Sequence, residues 1–289
     1  MKTKKLLLSK IDAYFRLMRF DKPVGILLLL WPTWISLFFA AKGIPPINIL
    51  VIFTLGVIVM RSAGCVINDY ADKDFDKHVQ RTKDRPITSN RVSPREALIL
   101  FAVLLFTAFI LVLQTNKETI LLSFVGVALA IIYPFSKRYT HFPQVVLGAT
   151  FAWCIPMSYS VLGITVDMVA YILYFATVVW STIYDTMYAM VDRDDDIKLG
   201  IKSTAIYFGK RDIAFIVGMQ IVFLLSFISI GIIISANMYY YLGVFAAFSS
   251  ILNQQTMLLT RRKENYFKAF LNNNLTGISL LIGVVLNYI

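Results

Sequence analysis

The chain is 289 residues long, 58% of them hydrophobic and only 16% charged, whereas an ordinary soluble domain carries about 25% charge. That composition, with a mean hydropathy of +0.69, excludes a soluble domain and identifies an integral membrane protein. The net charge of +11 brings no nucleic-acid recognition motif with it, and retention of Lys and Arg on the cytoplasmic side of a membrane accounts for it without a nucleic-acid partner.

Residues 1–22 hold seven Lys or Arg. The apolar run behind them is long and lacks a clear small-residue cleavage site, so the start reads as a retained segment rather than a signal peptide. Nine apolar stretches follow, near residues 24–41, 47–67, 96–113, 119–135, 144–163, 166–190, 213–235, 239–260 and 267–288. Each is close to the roughly 20 residues that a helix needs to cross a bilayer. If the N-terminus is cytoplasmic, the N-terminal segment, the loops at 68–95, 136–143, 191–212 and 261–268, and Arg61 hold every basic residue except Lys42 and Lys117. An odd number of spans and an outward C-terminus follow from that asymmetry. The expectation is an all-α membrane protein, one domain over residues 1–289, with nine helices around a central cavity. The motif loops at 68–95 and 191–212 belong to two pseudo-repeated helical halves. Cys65 and Cys154 fall inside apolar spans and read as small buried hydrophobes.

The chemistry is concentrated where the second and sixth spans end. Asp72 and Asp76, in Asn68-Asp69-Tyr70-Ala71-Asp72-Lys73-Asp74-Phe75-Asp76, recur 120 residues later as Asp192 and Asp196 in Asp192-Arg193-Asp194-Asp195-Asp196. Helical phase places Asp69, Asp72 and Asp76 on one face, and does the same for Asp185, Asp192 and Asp196, with Tyr188 beside the second stripe. Asp74, Asp194 and Asp195 point elsewhere. Carboxylates one turn apart repel, and a hard divalent cation relieves the repulsion. Mg²⁺ is usually held by one or two carboxylates together with substrate phosphates. Two facing stripes therefore suit Mg²⁺ bridged to a diphosphate, and the bland alternative is a solvated acidic loop beside basic residues. Arg81, Lys83 and Arg85 follow the first stripe, and Lys198 and Lys202 follow the second, where anionic oxygens need such partners. Gly200-Ile201-Lys202-Ser203-Thr204 lacks the glycines of a phosphate loop. The chain has no His/Cys metal spacing and no Gly-x-Ser-x-Gly elbow, which argues against zinc or serine hydrolase chemistry. His78 and His141 are isolated. The Asn and Gln runs at 253–255 and 272–274 read as interhelical hydrogen-bonding groups.

The strings Asn68-Asp69-x-x-Asp72-x-x-x-Asp76 and Asp185-x-x-Tyr188-Ala189-x-x-Asp192-x-x-x-Asp196 resemble the two aspartate motifs of the UbiA-type intramembrane aromatic prenyltransferases. Arg16-Leu17-Met18-Arg19-Phe20-Asp21-Lys22-Pro23, the run from Tyr133 to Thr140 and the run from Asp192 to Thr204 are similar to the 4-hydroxybenzoate polyprenyltransferases of ubiquinone synthesis. The resemblance implies Mg²⁺, a polyprenyl diphosphate donor, an aromatic acid acceptor alkylated at ring carbon, and a site at the cytoplasmic side of a bacterial inner membrane. It makes Asp72, Asp76, Asp192 and Asp196 direct or water-mediated Mg²⁺ ligands, with Asp69 and Asp185 as supporting members. Asn68 orients the acceptor or a metal-bound water. Arg81, Lys83, Arg85, Lys137 and Lys202 are the diphosphate candidates. Arg138 is the first choice for the acceptor carboxylate, Arg61 the reserve, and Tyr188 a further acceptor contact. Arg61 has a physical motive of its own, because an unused Arg inside an apolar span is costly. The rival readings are a transporter or cation channel, which should place acids at mid-bilayer, and a Mg²⁺-dependent lipid phosphotransferase.

Overall fold

The computed structural model describes residues 2–78 and 81–289, with side chains from Ser9 onward. The side chains of Lys2, Lys4 and Lys5, three of the basic residues of the N-terminal segment, therefore lie outside the described residues. Regular structure among the described residues is helical: α1 (Lys2–Leu17), α2 (Val24–Ala41), α3 (Ile47–Asp76), α4 (Pro94–Val112), α5 (Lys117–Ser136), α6 (Pro143–Ala152), α7 (Cys154–Val161), α8 (Met168–Lys198), α9 (Thr204–Phe208), α10 (Asp212–Ile233), α11 (Met238–Leu259) and α12 (Lys263–Tyr288). Nine segments among them are long and apolar enough to cross a membrane, as the hydropathy pattern predicts: α2, α3, α4, α5, α6 with α7, α8, α9 with α10, α11 and α12.

Local chemistry sets the helix boundaries. Ser93 and Glu96 form a reciprocal capping box, with Pro94 in the first turn, and so start α4. Asn116, Asp167 and Asn237 cap α5, α8 and α11 by accepting from the backbone N–H three residues on. Pro156 has no N–H to return to Ala152, and the fifth span breaks at Trp153 into α6 and α7.

Packing follows membrane rather than aqueous logic. The most enclosed helix is α8, which buries Leu173, Ala176, Val179, Trp180, Ile183 and Met187. At the periphery, α4 turns Ile99, Val103, Phe106 and Ile110 outward. Without a hydrophobic force between helices in lipid, close backbone approach and polar contacts hold the bundle. α11 and α12 meet at Gly243 and Gly283, where a Cβ on Gly243 would lie 2.7 Å from the Gly283 Cα. Gln220 of α10 donates to Gln254 at 2.8 Å, and Gln254 donates to Thr276 at 3.1 Å. Trp180 donates to Asn273 at 2.9 Å, and Trp31 to Asn274 at 3.1 Å. These bonds give the Asn and Gln runs the interhelical role expected of them.

Two helices are longer than the rest. α3 has 30 residues and α8 has 31, so each extends about 45 Å against a hydrocarbon core of about 30 Å. Both overhangs carry the aspartate strings. The expected loops at 68–95 and 191–212 therefore begin as helix, which runs to Asp76 in one case and Lys198 in the other. Helical continuity keeps the phase argument valid up to the last acid.

Candidate active site

The last turns of α3 present three buried carboxylates, each with a cation beside it. Asp69 accepts from Arg19 at 2.8 and 3.0 Å and lies 3.1 Å from the Arg85 guanidinium. Arg85 also donates to Asp76 at 2.7 Å, so one guanidinium bridges two acids of the stripe. Thr82 donates to the Asp76 carbonyl at 3.0 Å, which folds the α3–α4 connection back over the helix end and brings Arg85 into place. Burial alone would lower the Arg85 pKa, but Asp69 and Asp76 outweigh it and hold the guanidinium above its usual value, fully charged. Asp72 is paired with Lys137 and accepts from Asn68 at 3.2 Å through the same oxygen, Oδ2. Its other oxygen, Oδ1, is buried without a hydrogen-bond partner.

The second stripe is arranged differently. Asp192 takes a two-pronged contact from Arg81, the Nε bond measuring 2.9 Å. Arg81 also donates to the Tyr188 hydroxyl at 2.5 Å, and its guanidinium carbon is 4.7 Å from the Tyr188 ring centroid. The side chains of Asp185 and Asp196 have no hydrogen bond or ion pair among the described residues.

Two cavities meet between these stripes. The smaller, about 150 Å³, is lined by Asp72, Asp76, Asp192 and Asp196 together with Lys137 and Lys202. The larger, about 1220 Å³, runs down the bundle past Phe53, Phe109 and Met157. Six residues line both: Asn68, Arg81, Arg85, Tyr133, Asp185 and Tyr188. A charged, oxygen-rich chamber thus opens through one ring of side chains into an apolar one.

The expected residues divide cleanly by position. Asn68, Asp72, Asp76, Asp185, Tyr188, Asp192 and Asp196 all line the smaller cavity, as do Arg81, Arg85, Lys137 and Lys202. Lys202 also donates to the Tyr139 carbonyl at 3.3 Å. Asp69 lines the larger cavity instead, clamped between Arg19 and Arg85. Lys83 is exposed and lines neither. Arg138, the first choice for an acceptor carboxylate, donates to the Ala71 carbonyl at 2.7 Å, lies against Phe75 and Phe135, and lines neither cavity. Arg61, the reserve, lines the larger one. It donates to the Gly25 carbonyl at 3.3 Å and approaches Cys65 Sγ at 2.9 Å, with no carboxylate partner. A Cβ on residue 25 would come within 2.7 Å of this guanidinium, so Gly25 makes the room it occupies.

Sequence reasoning gave no role to Arg19, Tyr133, Gln144 or Ser203, all of which line one cavity or both. Arg19 and Tyr133 lie in segments that carry the family resemblance, and that was their signal. Ser203 lies in the resembling run from Asp192 to Thr204 and shared that signal, while uncharged Gln144 had none.

Among the described residues, no three His, Cys, Asp or Glu side chains gather closely enough to hold a metal alone. The donor set still fits Mg²⁺. All five carboxylates on the smaller cavity offer hard oxygens, Asp72 Oδ1 is a buried acceptor with nothing to accept, and Mg²⁺ characteristically takes its remaining ligands from water and phosphate.

The sequence matches the model of the UbiA prenyltransferase family over residues 29–276. It is 53% identical over 274 residues to the 4-hydroxybenzoate octaprenyltransferase of Alkalilimnicola ehrlichii, covering 95% of this chain and 94% of that one. The fold is similar to the apo structure of a UbiA homolog from Aeropyrum pernix K1, with TM-score 0.80 and 22% identity over 91% of this chain and 98% of that one. A UbiA homolog from Archaeoglobus fulgidus bound to GPP and Mg²⁺ superposes with TM-score 0.72 and 16% identity, covering 94% of this chain and 99% of its own.

Proposed function

The chain belongs to the UbiA prenyltransferase family, and from that premise we propose that it transfers a polyprenyl group, of octaprenyl length, from its diphosphate to a ring carbon of 4-hydroxybenzoate. The step releases diphosphate and supplies ubiquinone biosynthesis. The observation that carries this reading is the junction of the two cavities, where one ring of residues separates a chamber for diphosphate from a chamber for an isoprenoid. Relatives named for 4-hydroxybenzoate octaprenyl transfer support the two substrates.

In this reading Asp72, Asp76, Asp192 and Asp196 hold Mg²⁺, which when bound supplies a Lewis acid and template for the departing diphosphate. Arg81, Arg85 and Lys137 neutralise charge where it develops on the diphosphate oxygens as the allylic carbon–oxygen bond breaks, and Lys202 adds a point charge at the rim. The electron pair leaves with the diphosphate, and the prenyl carbon becomes cationic at the junction. Tyr133 and Tyr188 face it there, and aromatic faces stabilise such a cation. The apolar cavity excludes the water that would otherwise quench it. Arg61 takes the acceptor carboxylate in place of Arg138. The acceptor's ring carbon then forms the new carbon–carbon bond, and the displaced ring proton passes to Asp185, whose side chain faces the junction with no ion pair among the described residues.

The enzyme is placed in the bacterial inner membrane with its N-terminus and acidic end cytoplasmic, the orientation that the basic residues favour. A channel or transporter is disfavoured, because the acids of the site line one end of the bundle and the mid-bilayer part of the larger cavity is lined by apolar groups such as Phe53 and Met157.

The test is an assay in washed membranes with octaprenyl diphosphate and 4-hydroxybenzoate, with and without a chelator. A prenylated hydroxybenzoate should form only when Mg²⁺ is present. Failure of a folded, Mg²⁺-replete enzyme to make it would remove the substrate assignment.

A further inference from the structure

The second aspartate string is an electrostatic problem for the helix that carries it. Asp192, Asp194, Asp195 and Asp196 crowd the last two turns of α8. A helix C-terminus carries partial negative charge and disfavours acids, and Asp192 and Asp196, four residues apart, repel one another. From the cavity side Arg81 reaches this group, through Asp192. The helix end is also tied down from behind.

Arg193, on the reverse face, is ion-paired with Asp212, the first residue of α10. Asp212 is 0% exposed, lines neither cavity, and has both oxygens engaged. Its Oδ2 takes Arg193, while Oδ1 accepts from the Ile213 N–H at 2.7 Å and lies 3.4 Å from Arg261. Arg261 sits in the turn between α11 and α12 with φ 52 and also donates to the Lys210 carbonyl at 3.0 Å. One buried carboxylate therefore joins the end of α8, the start of α10 and the α11–α12 turn. A weaker, exposed pair runs parallel to it, from Lys263 to Asp194 at 2.8 Å.

We propose that Asp212 is a positioning residue for the transfer reaction: by gripping Arg193 it fixes the back of the α8 overhang, so that Asp192 and Asp196 stay aimed into the smaller cavity. This rests on the reading that those two acids hold the metal–diphosphate. Asp194, which does not face the cavity, thereby acquires a purpose, since it and Arg193 are where the helix end is anchored.

The experiment uses the full chain in lipid nanodiscs, with amide hydrogen exchange and Mn²⁺ binding in the presence of inorganic diphosphate, followed by electron paramagnetic resonance. Asp212→Asn should speed exchange over residues 192–199 while leaving 69–76 as in the wild type. It should also weaken Mn²⁺ binding about tenfold, as loss of a group that orients metal ligands commonly does, and Asp212→Glu should restore most of the affinity. Faster exchange with unchanged Mn²⁺ affinity would make Asp212 merely structural and overturn the proposal; so would weaker binding with unchanged exchange. If Asp212→Asn is not recovered folded, Arg193→Gln, which leaves Asp212 its contacts with Arg261 and Ile213, is judged by the same outcomes. A wild-type chain that binds no Mn²⁺ would remove the metal reading, and the positioning role with it. Wild-type binding matched by the variants would remove the positioning role alone.

Discussion

The two helix ends that form the site carry nearly the same string of acids and stabilise it in different ways. α3 is neutralised from the front: Arg19, Arg85 and Lys137 all reach carboxylates on its cavity-facing stripe. On α8, Arg81 neutralises Asp192 from the cavity side and Lys263 pairs with Asp194 behind, while the side chains of Asp185 and Asp196 have no ion pair among the described residues. Side-chain cations occupy all three acids of the first stripe, whereas the second is only partly occupied, by Arg81 on Asp192. The lesson is that matched motifs need not be matched in energy. In the proposed reading, a metal at Asp72 would displace Lys137 toward the diphosphate, whereas Asp196 would need no such exchange.

The strongest way to break this comparison is to remove one metal-facing acid from each side. Asp72→Asn and Asp192→Asn should each lower turnover by about 10²- to 10³-fold, the usual scale for deleting one electrostatic contact to developing charge. Both proteins should remain folded in membranes, as checked by their thermal midpoints. An active Asp192→Asn enzyme would mean that α3 carries the metal alone. The next largest effect separates the sides. Arg85→Ala strands Asp76 and leaves Asp69 with Arg19 alone, and breaking a buried pair by removing one partner costs about 3–5 kcal/mol. Its thermal midpoint should fall well below that of Arg81→Ala, whose partner Asp192 is more accessible to solvent than Asp76. Equal losses of stability would erase the distinction between a filled and a partly occupied stripe.

Much of this arrangement was legible in the sequence because it follows from period and solvent. The bilayer requirement set nine spans, helical phase set which acids share a face, and the basic asymmetry placed them at one end. The identity of each acid's cation was not legible. Charge retention says that Arg61, Lys83, Arg85 and Arg138 lie at that end, but only tertiary packing decides that Arg85 bridges Asp69 and Asp76, that Lys83 faces solvent, and that Arg138 is taken by the Ala71 carbonyl. Asp212 was invisible for the same reason. A lone acid at a helix start reads as a dipole-compatible surface residue, and its burial depends on three elements meeting.

A smaller and more selective effect is expected at Arg61, to which α8 has no counterpart in the larger cavity. A charge-assisted hydrogen bond is worth about 1.5–3 kcal/mol, so Arg61→Gln should raise KM for 4-hydroxybenzoate roughly 10- to 150-fold, with the donor's KM nearly unchanged. Arg138→Gln should leave the acceptor KM within a few-fold. Steady-state kinetics with each substrate varied in turn checks both, and the reverse ranking would return the acceptor to Arg138.

The smallest effect sharpens the comparison most, because it tests whether facing direction alone separates working acids from bystanders. Asp74 lies within the first string, two residues from Asp72 and two from Asp76, yet its side chain is 74% exposed and its one ion pair, to Lys77 at 3.3 Å, is also in solvent. Exposed pairs of this kind contribute about 0–1 kcal/mol, and a carboxylate that points away from the cavity adds nothing to a metal. Asp74→Asn should therefore change turnover by less than about twofold and shift the thermal midpoint within the scatter expected of a surface substitution, even though it removes the same charge as Asp72→Asn. A loss comparable to that of Asp72→Asn would show that total negative charge at the helix end, rather than the two stripes, is what the reaction uses.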